Sequence, residues 1–390
     1  MLITEFIRAL EEIVPLGSIG YDKDAVGMQV ALPRNTELTK VLVAYEVTQA
    51  VIDEAKSRGA DLILAFHPLI FPSVRTIGDS DRTGALIRQL VKNDIALYIQ
   101  HTAFDTHPRF GTSKLMAEVL ELENIRPLMP LRNSLNKIVV FVPVEASRTI
   151  CDLMSAAGAG RIGEYSDCSF TLEGTGTFFK RANRADAKVL ERVNEVRIEM
   201  ICDKWNTNKA VRAMLEAHPY EEPAYDVIPL ATESPNFGMG AVGEWASTLQ
   251  LDEVLTKVRE AFGTKALRHN TLSKTSFKRA AMVGGSGMEF YGSARSVADV
   301  FITADVRYHD FYRAEHENVL LIDAGHAETE RFVAAGMSRA AKEAVRSAQG
   351  NLLTANPSTG QGSALNLSDE TTEELVLIAQ AEPNAVRYFV

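Results

Sequence analysis

The chain is poor in cysteine, with three in 390 residues: Cys151, Cys168 and Cys202. An odd number without metal-ligand spacing excludes a disulfide framework and a thiolate zinc site. It reads instead as reduced thiols in a cytoplasmic protein. No run of about 18 apolar residues occurs, so no transmembrane helix is expected. The first residues, MLITEFIRALEEIV, form an amphipathic helical pattern containing acids, where a signal peptide would show basic residues and an unbroken apolar centre. Positive charge is also short: 41 Lys and Arg face 51 Asp and Glu, for a net charge of −10. That balance speaks against nucleic acid, whose partners are usually basic. Dinucleotide and Walker signatures are missing too. The glycine run VGGSGM (283–288) matches neither and reads as a tight strand-to-helix turn.

What is present is enough for a packed core, since 46% of residues are hydrophobic and 24% charged. Residues 1–125 alternate strand and helix. KVLVAYEV, DLILAF and IALYIQ read as strands, TQAVIDEAKSRG and TGALIRQLVKND as helices. Residues 280–337 repeat the pattern with AAMVGGSG, ADVFITAD and VLLIDAG. Such βαβ units imply mainly parallel sheets. Between them, the order β-α-β-β-α-β suggests a ferredoxin-like α+β module. We therefore expect an α/β domain in two halves, 1–130 and 236–345, interrupted by an inserted domain at 131–235. Residues 346–390 read as a polar linker followed by an apolar tail that docks on a surface. HPYEEPAYD (218–226) reads as a rigid connection into the last strand of the insertion, or else as a cation or oligomer contact.

The chemistry-bearing residues follow the strands. His67 follows DLILAF, and His101 follows IALYIQ with Asp105 four residues on. His326 follows VLLID with Glu330 four residues on. Residues four apart share a helix face, and in open parallel sheets ligands bind beyond the carboxyl ends of the strands. Imidazole nitrogen with carboxylate oxygen is the donor set of Zn, Fe or Mn sites. Each residue alone also has a plain reading: a solvated loop, a helix cap, a surface pair. Their common location favours a shared ion. His107, beside Pro108, reads as a loop residue facing water.

Taken together, DAVGMQV (24–30), DLILAFHPLIF (61–71), HTAFD (101–105), VGGSG (283–287), ADVFITADVRYHD (298–310) and DAGHAETE (323–330) resemble the Nif-three-like family. Its members are often labelled GTP cyclohydrolase I type 2 homologues. The insertion, with AGAGRIGEYSDCSF, GTGTF and HPYEEPAYD, is similar to PII and CutA-like domains of the long bacterial members. The resemblance implies a dinuclear divalent-metal centre in a homohexamer. Matched by motif, His67, Asp105, His326 and Glu330 stand at ligand positions, and His101 and His309 stand at histidines of the same cavity, as candidates for proton transfer. Two departures stand out. Phe66 occupies the place of the first of two adjacent histidines, leaving one or two ions per chain as the expectation. GTSK (111–114) stands where the family often has Gly-Val-Asn-Asp, which changes the polar groups near the cavity. The implied activity is a metal-dependent hydrolase on a nucleotide-like substrate of unspecified identity. The alternative is a non-catalytic hexameric metal-binding or adaptor protein.

Overall fold

The computed structural model describes all residues except 22, 164, 180–189, 355–371, 373 and 382–390. It divides into two compact units: Met1–Met129 with Phe237–Val390, and Pro130–Asn236.

The first unit holds two sheets. One runs in the order Gly27–Val30, Ala96–Ile99, Leu62–Ala65, Val41–Ala44, Val376–Ile378. The last four strands are mutually parallel, and Gly27–Val30 joins antiparallel. The strands VLVA, LILA and ALYI are buried at every position, as sheets covered on both faces require. One face packs on the helices Ile3–Ile13 and Val333–Thr354 through Phe6, Leu10, Ala341 and Val345. The other packs on the helices Gln49–Arg58 and Arg82–Lys92 through Ile52, Ala55, Ile87 and Leu90. Local chemistry sets these helix ends. Thr48 Oγ1 accepts the Val51 amide at 3.2 Å, Asp81 accepts the Gly84 amide at 2.8 Å, and Gly59 closes the first helix at φ 68°.

The second sheet runs Arg268–His269, Leu320–Asp323, Val300–Thr303, Ser276–Met282, Gly238–Gln250, Glu123–Pro130. Its second, third and fourth strands are parallel, and antiparallel strands flank them. Both faces of this sheet are apolar and covered. Each sheet thus has a parallel centre, and the carboxyl ends of those strands carry the residues of interest.

The second unit is a four-stranded antiparallel sheet in the order Phe170–Phe178, Glu191–Asp203, Leu135–Pro143, Tyr225–Leu230. The helices Ser147–Ala156 and Lys204–Ala217 share its core through Ile150, Met154, Ala210 and Met214. This is the ferredoxin-like arrangement. His218 is fully engaged in it: Nε2 donates to the Phe141 carbonyl at 3.0 Å and Nδ1 accepts the Tyr220 amide at 3.1 Å. Those bonds tie the HPYEEP connection down.

Two expectations are corrected. The helix Val333–Thr354 continues past 345, because Ala341, Ala344, Val345 and Ala348 prolong a buried stripe at helical spacing. The linker expected from 346 falls otherwise on 355–371, outside the described residues, and Val376–Ile378 of the tail adds a strand to the first sheet.

His107 is the second correction. It is 6% exposed, not solvated. Its Nε2 donates to the Ile13 carbonyl at 2.9 Å, and Nδ1 accepts the amides of Arg109 and Phe110 at 3.1 and 3.2 Å. A second ring proton would collide with both donors, and burial pushes the imidazole down to about 4. In the unfolded chain it titrates near 6.5. The unfolded state therefore binds the extra proton between these values, and stability is lost as pH falls from 6.5 through 4. The expected loss is about 3 kcal/mol. Comparing urea unfolding of the wild type and His107→Gln at pH 7 and 4 isolates it: the pH-dependent difference should shrink by that amount in the variant.

Candidate metal centre

Three strand ends build the site. His67 follows Leu62–Ala65 after one residue, and its amide donates to the Tyr45 carbonyl at 3.1 Å. His101 follows Ala96–Ile99 and opens the short helix His101–Asp105 with φ 32°, a strained value for a residue with a β-carbon. His326 opens the single turn His326–Thr329 after Leu320–Asp323, and Glu330 follows that turn. The first two come from one sheet and the third from the other.

His67, His326 and Glu330 meet. Their donor atoms all lie within 4.8 Å of one another. Glu330 Oε2 is 3.2 Å from His326 Nε2 and 3.5 Å from His67 Nε2. Glu330 is 6% exposed, so this carboxylate is held largely out of water. The outer nitrogen of each ring is braced by a second acid. His67 Nδ1 lies 3.2 Å from Glu46, and His326 Nδ1 lies 2.6 Å from Asp305. Arg82 in turn holds Glu46 at 2.8 Å. Carboxylates on Nδ1 fix the tautomer that leaves Nε2 free to coordinate.

His101 stands beside this set, its ring centroid 5.8 Å from that of His67, the same separation as His67 to His326. Both oxygens of Asp24 grip its Nδ1 at 2.8 and 2.9 Å, and the Thr102 amide and hydroxyl hold Asp24. Burial opposes ionisation of both partners. Their mutual bond prevails, lowering the Asp24 carboxyl and raising the His101 ring.

Asp105 lies outside the compact triad and accepts a short hydrogen bond from Thr112. It is partly exposed yet crowded by protein. That crowding, reinforced by the charge of Glu330, pushes its carboxyl up to about 7. His309 is exposed on the first turn of the helix Tyr308–His316, edge-on to Tyr308 at 5.4 Å. Its described contacts do not reach the triad.

The glycine run has a second purpose besides turning. Gly285, at φ 62°, presses bare backbone against the donors, where a β-carbon would sit 2.4 Å from Glu330 Oε1 and 3.0 Å from His326 Nε2. Two neutral imidazole nitrogens, one buried carboxylate, outer acidic braces and a side-chain-free wall fit a divalent transition ion. Without an ion, the hydrogen bond that His326 donates to Glu330 raises its ring to about 9, with Asp305 adding to it against the pull of burial. Metal uptake must then displace a proton. Affinity is expected to rise by up to about tenfold per pH unit toward pH 9 and then level. Calorimetry at pH 7 in two buffers of different ionisation enthalpy should report release of at least the His326 proton, about one or more per ion.

Reading strand ends for histidine alone overlooks Glu46, Asp305, Asp24 and Tyr45. Glu46 and Asp305 each stand two residues beyond a parallel strand, Val41–Ala44 and Val300–Thr303, so the strand-end rule reaches them once acids are counted. Asp24 lies in a loop, and only its place in DAVGMQV marks it.

Fold and site define a two-sheet α/β protein with a ferredoxin-like insertion and a candidate histidine–carboxylate metal centre. The chain belongs to the Duf34/NIF3 (NGG1p interacting factor 3) family, whose model matches residues 1–356. It is similar to the GTP cyclohydrolase 1 type 2 homolog of Halalkalibacterium halodurans, 39% identical over 298 residues covering 75% of this chain and 80% of that one. The Bacillus subtilis homolog of the same name is 34% identical over 342 residues, 86% of this chain and 90% of its own. The crystal structure of a Bacillus cereus protein related to NIF3 superposes with a TM-score of 0.81 at 31% identity, covering 100% and 99% of the two chains. No helix among the described residues is long and apolar enough to cross a membrane.

Proposed function

We propose that this protein is a metal-dependent hydrolase acting on a nucleotide-like substrate. The observation that carries the reading is the convergence of His67 Nε2, His326 Nε2 and Glu330 Oε2 on one small volume, with Glu46 and Asp305 behind the rings. The name shared by the curated relatives, GTP cyclohydrolase 1 type 2 homolog, supports the substrate class. His67, His326 and Glu330 would hold the ion, which supplies Lewis acidity and the means to make water nucleophilic near neutral pH. His101 is the neighbouring ring suited to proton exchange. Asp24 holds its Nδ1 and so fixes which nitrogen, Nε2, can give or take the proton. Asp105, titrating near 7, is a second group able to change protonation beside the triad.

The test is metal content and turnover of the purified full chain on a panel of nucleotides and phosphoesters. Turnover that chelation abolishes and metal restores supports the reading. Bound metal without turnover on any member of the panel favours a binding or adaptor protein instead.

The ring of Phe66 is buried at 1% exposure, among Tyr45, His67, His101 and Phe104, and brings no donor. One tightly held ion per chain is therefore expected. Phe66→His should raise the count from about one to about two by elemental analysis. Two tight ions in both proteins would remove Phe66 as the limiting residue.

A further inference from the structure

Tyr45 touches the triad from the inner side, at the carboxylate that both imidazoles face rather than behind a ring. It follows the strand Val41–Ala44, and the register Ala44↔Ala65 sets it abreast of Phe66 on the next strand. The two rings stack, with centroids 6.2 Å apart and planes 16° apart, and the Tyr45 ring meets His67 edge-on at 4.7 Å. So pinned, its hydroxyl donates to Glu330 Oε2 at 2.7 Å. That is the oxygen to which both Nε2 atoms converge at 3.2 and 3.5 Å. Donors about 2.1 Å from one ion stand roughly 3.4 Å apart in a tetrahedron. The imidazole spacings already match this figure, and the shorter oxygen pair is a hydrogen bond whose proton an ion would replace.

We propose that Tyr45 is a fourth protein donor to the metal, one strand over from the donorless Phe66, and that it inclines the site toward ferric iron. The inference rests on the reading of the triad as a metal centre. A phenolate is a hard anionic oxygen, and hard oxygen donors suit hard cations. On binding, the Tyr45 O–H bond breaks, an oxygen–iron bond forms, and the proton leaves to solvent. No electron moves when the iron is supplied as Fe(III). Were Tyr45 only a positioning residue, hydrogen-bonded to Glu330 without touching the ion, the iron complex would lack the visible charge-transfer band that phenolate–Fe(III) pairs show.

The experiment loads the metal-free full chain with ferric nitrilotriacetate and records visible absorption and resonance Raman spectra. The wild type should be coloured with tyrosinate vibrations. Tyr45→Phe, which keeps the ring stacked on Phe66, should bind iron without colour, with ferric affinity down tenfold or more and zinc affinity changed less. A colourless wild-type complex holding stoichiometric iron overturns the proposal, as does a band that survives in Tyr45→Phe. Circular dichroism separates loss of colour from loss of fold. If the wild type retains neither iron nor zinc, the metal reading fails along with it. If it retains zinc and iron without the band, only the role of Tyr45 falls.

Discussion

Glu330→Ala is expected to strip the ion from this protein. One oxygen of this carboxylate is the meeting point of His67, His326 and Tyr45, so its removal deletes a donor and frees the others from their common geometry. Losing an outer partner of a ligand typically costs about 10–100-fold in affinity. Loss of a central donor should exceed that, more than about 100-fold, in competition against a chelator. The metal-free variant carries its own signature. His326 loses the largest influence holding it at about 9 and should titrate lower. Asp105 loses the neighbouring charge that helps raise it to about 7 and should also move down. Proton NMR of the ring and carbon NMR of the carboxyl read both. An unchanged affinity, or an unmoved His326, would contradict this placement of Glu330.

Gly285→Ala should damage the site almost as much without touching a donor atom. The added carbon would lie 2.4 Å from Glu330 Oε1 and 3.0 Å from His326 Nε2, so two donors must shift. The backbone cannot retreat. The Gly285 amide donates to Thr329 Oγ1 at 3.0 Å, and its carbonyl accepts the Ala304 amide and the Thr303 hydroxyl, each at 2.9 Å. Its φ of 62° adds a left-handed penalty of about 1–2 kcal/mol for any residue with a β-carbon. Affinity for zinc should fall about tenfold or more, and denaturant unfolding should show stability lower by about 1–2 kcal/mol. Full affinity with only the stability loss would show that the glycine serves the turn alone.

Much of this was legible in the sequence, for reasons that can be named. Short, wholly apolar segments such as VLVA and LILA announce buried parallel strands. Alternation with capped helices announces the layered order. The β-α-β-β-α-β run announces the inserted module. The strand-end rule and the four-residue spacing of His326 and Glu330 bring the centre of the site into view. What stayed hidden depends on side-chain packing across distant elements. His107 looks solvated beside its proline, yet the N-terminal helix supplies the Ile13 carbonyl that buries it. Asp24 reaches His101 from 77 residues away. Tyr45 reads as one more strand residue until the hydroxyl is seen on Glu330. The glycines at 283–288 read as a turn, and nothing local reveals that a β-carbon at 285 would strike two donors.

The most direct measurement is an anomalous-scattering map from crystals of the full chain purified without chelator. The account predicts a peak about 2.0–2.3 Å from His67 Nε2, His326 Nε2 and a Glu330 oxygen. A metal peak elsewhere, or none at this position in protein that carries stoichiometric metal by elemental analysis, would contradict it.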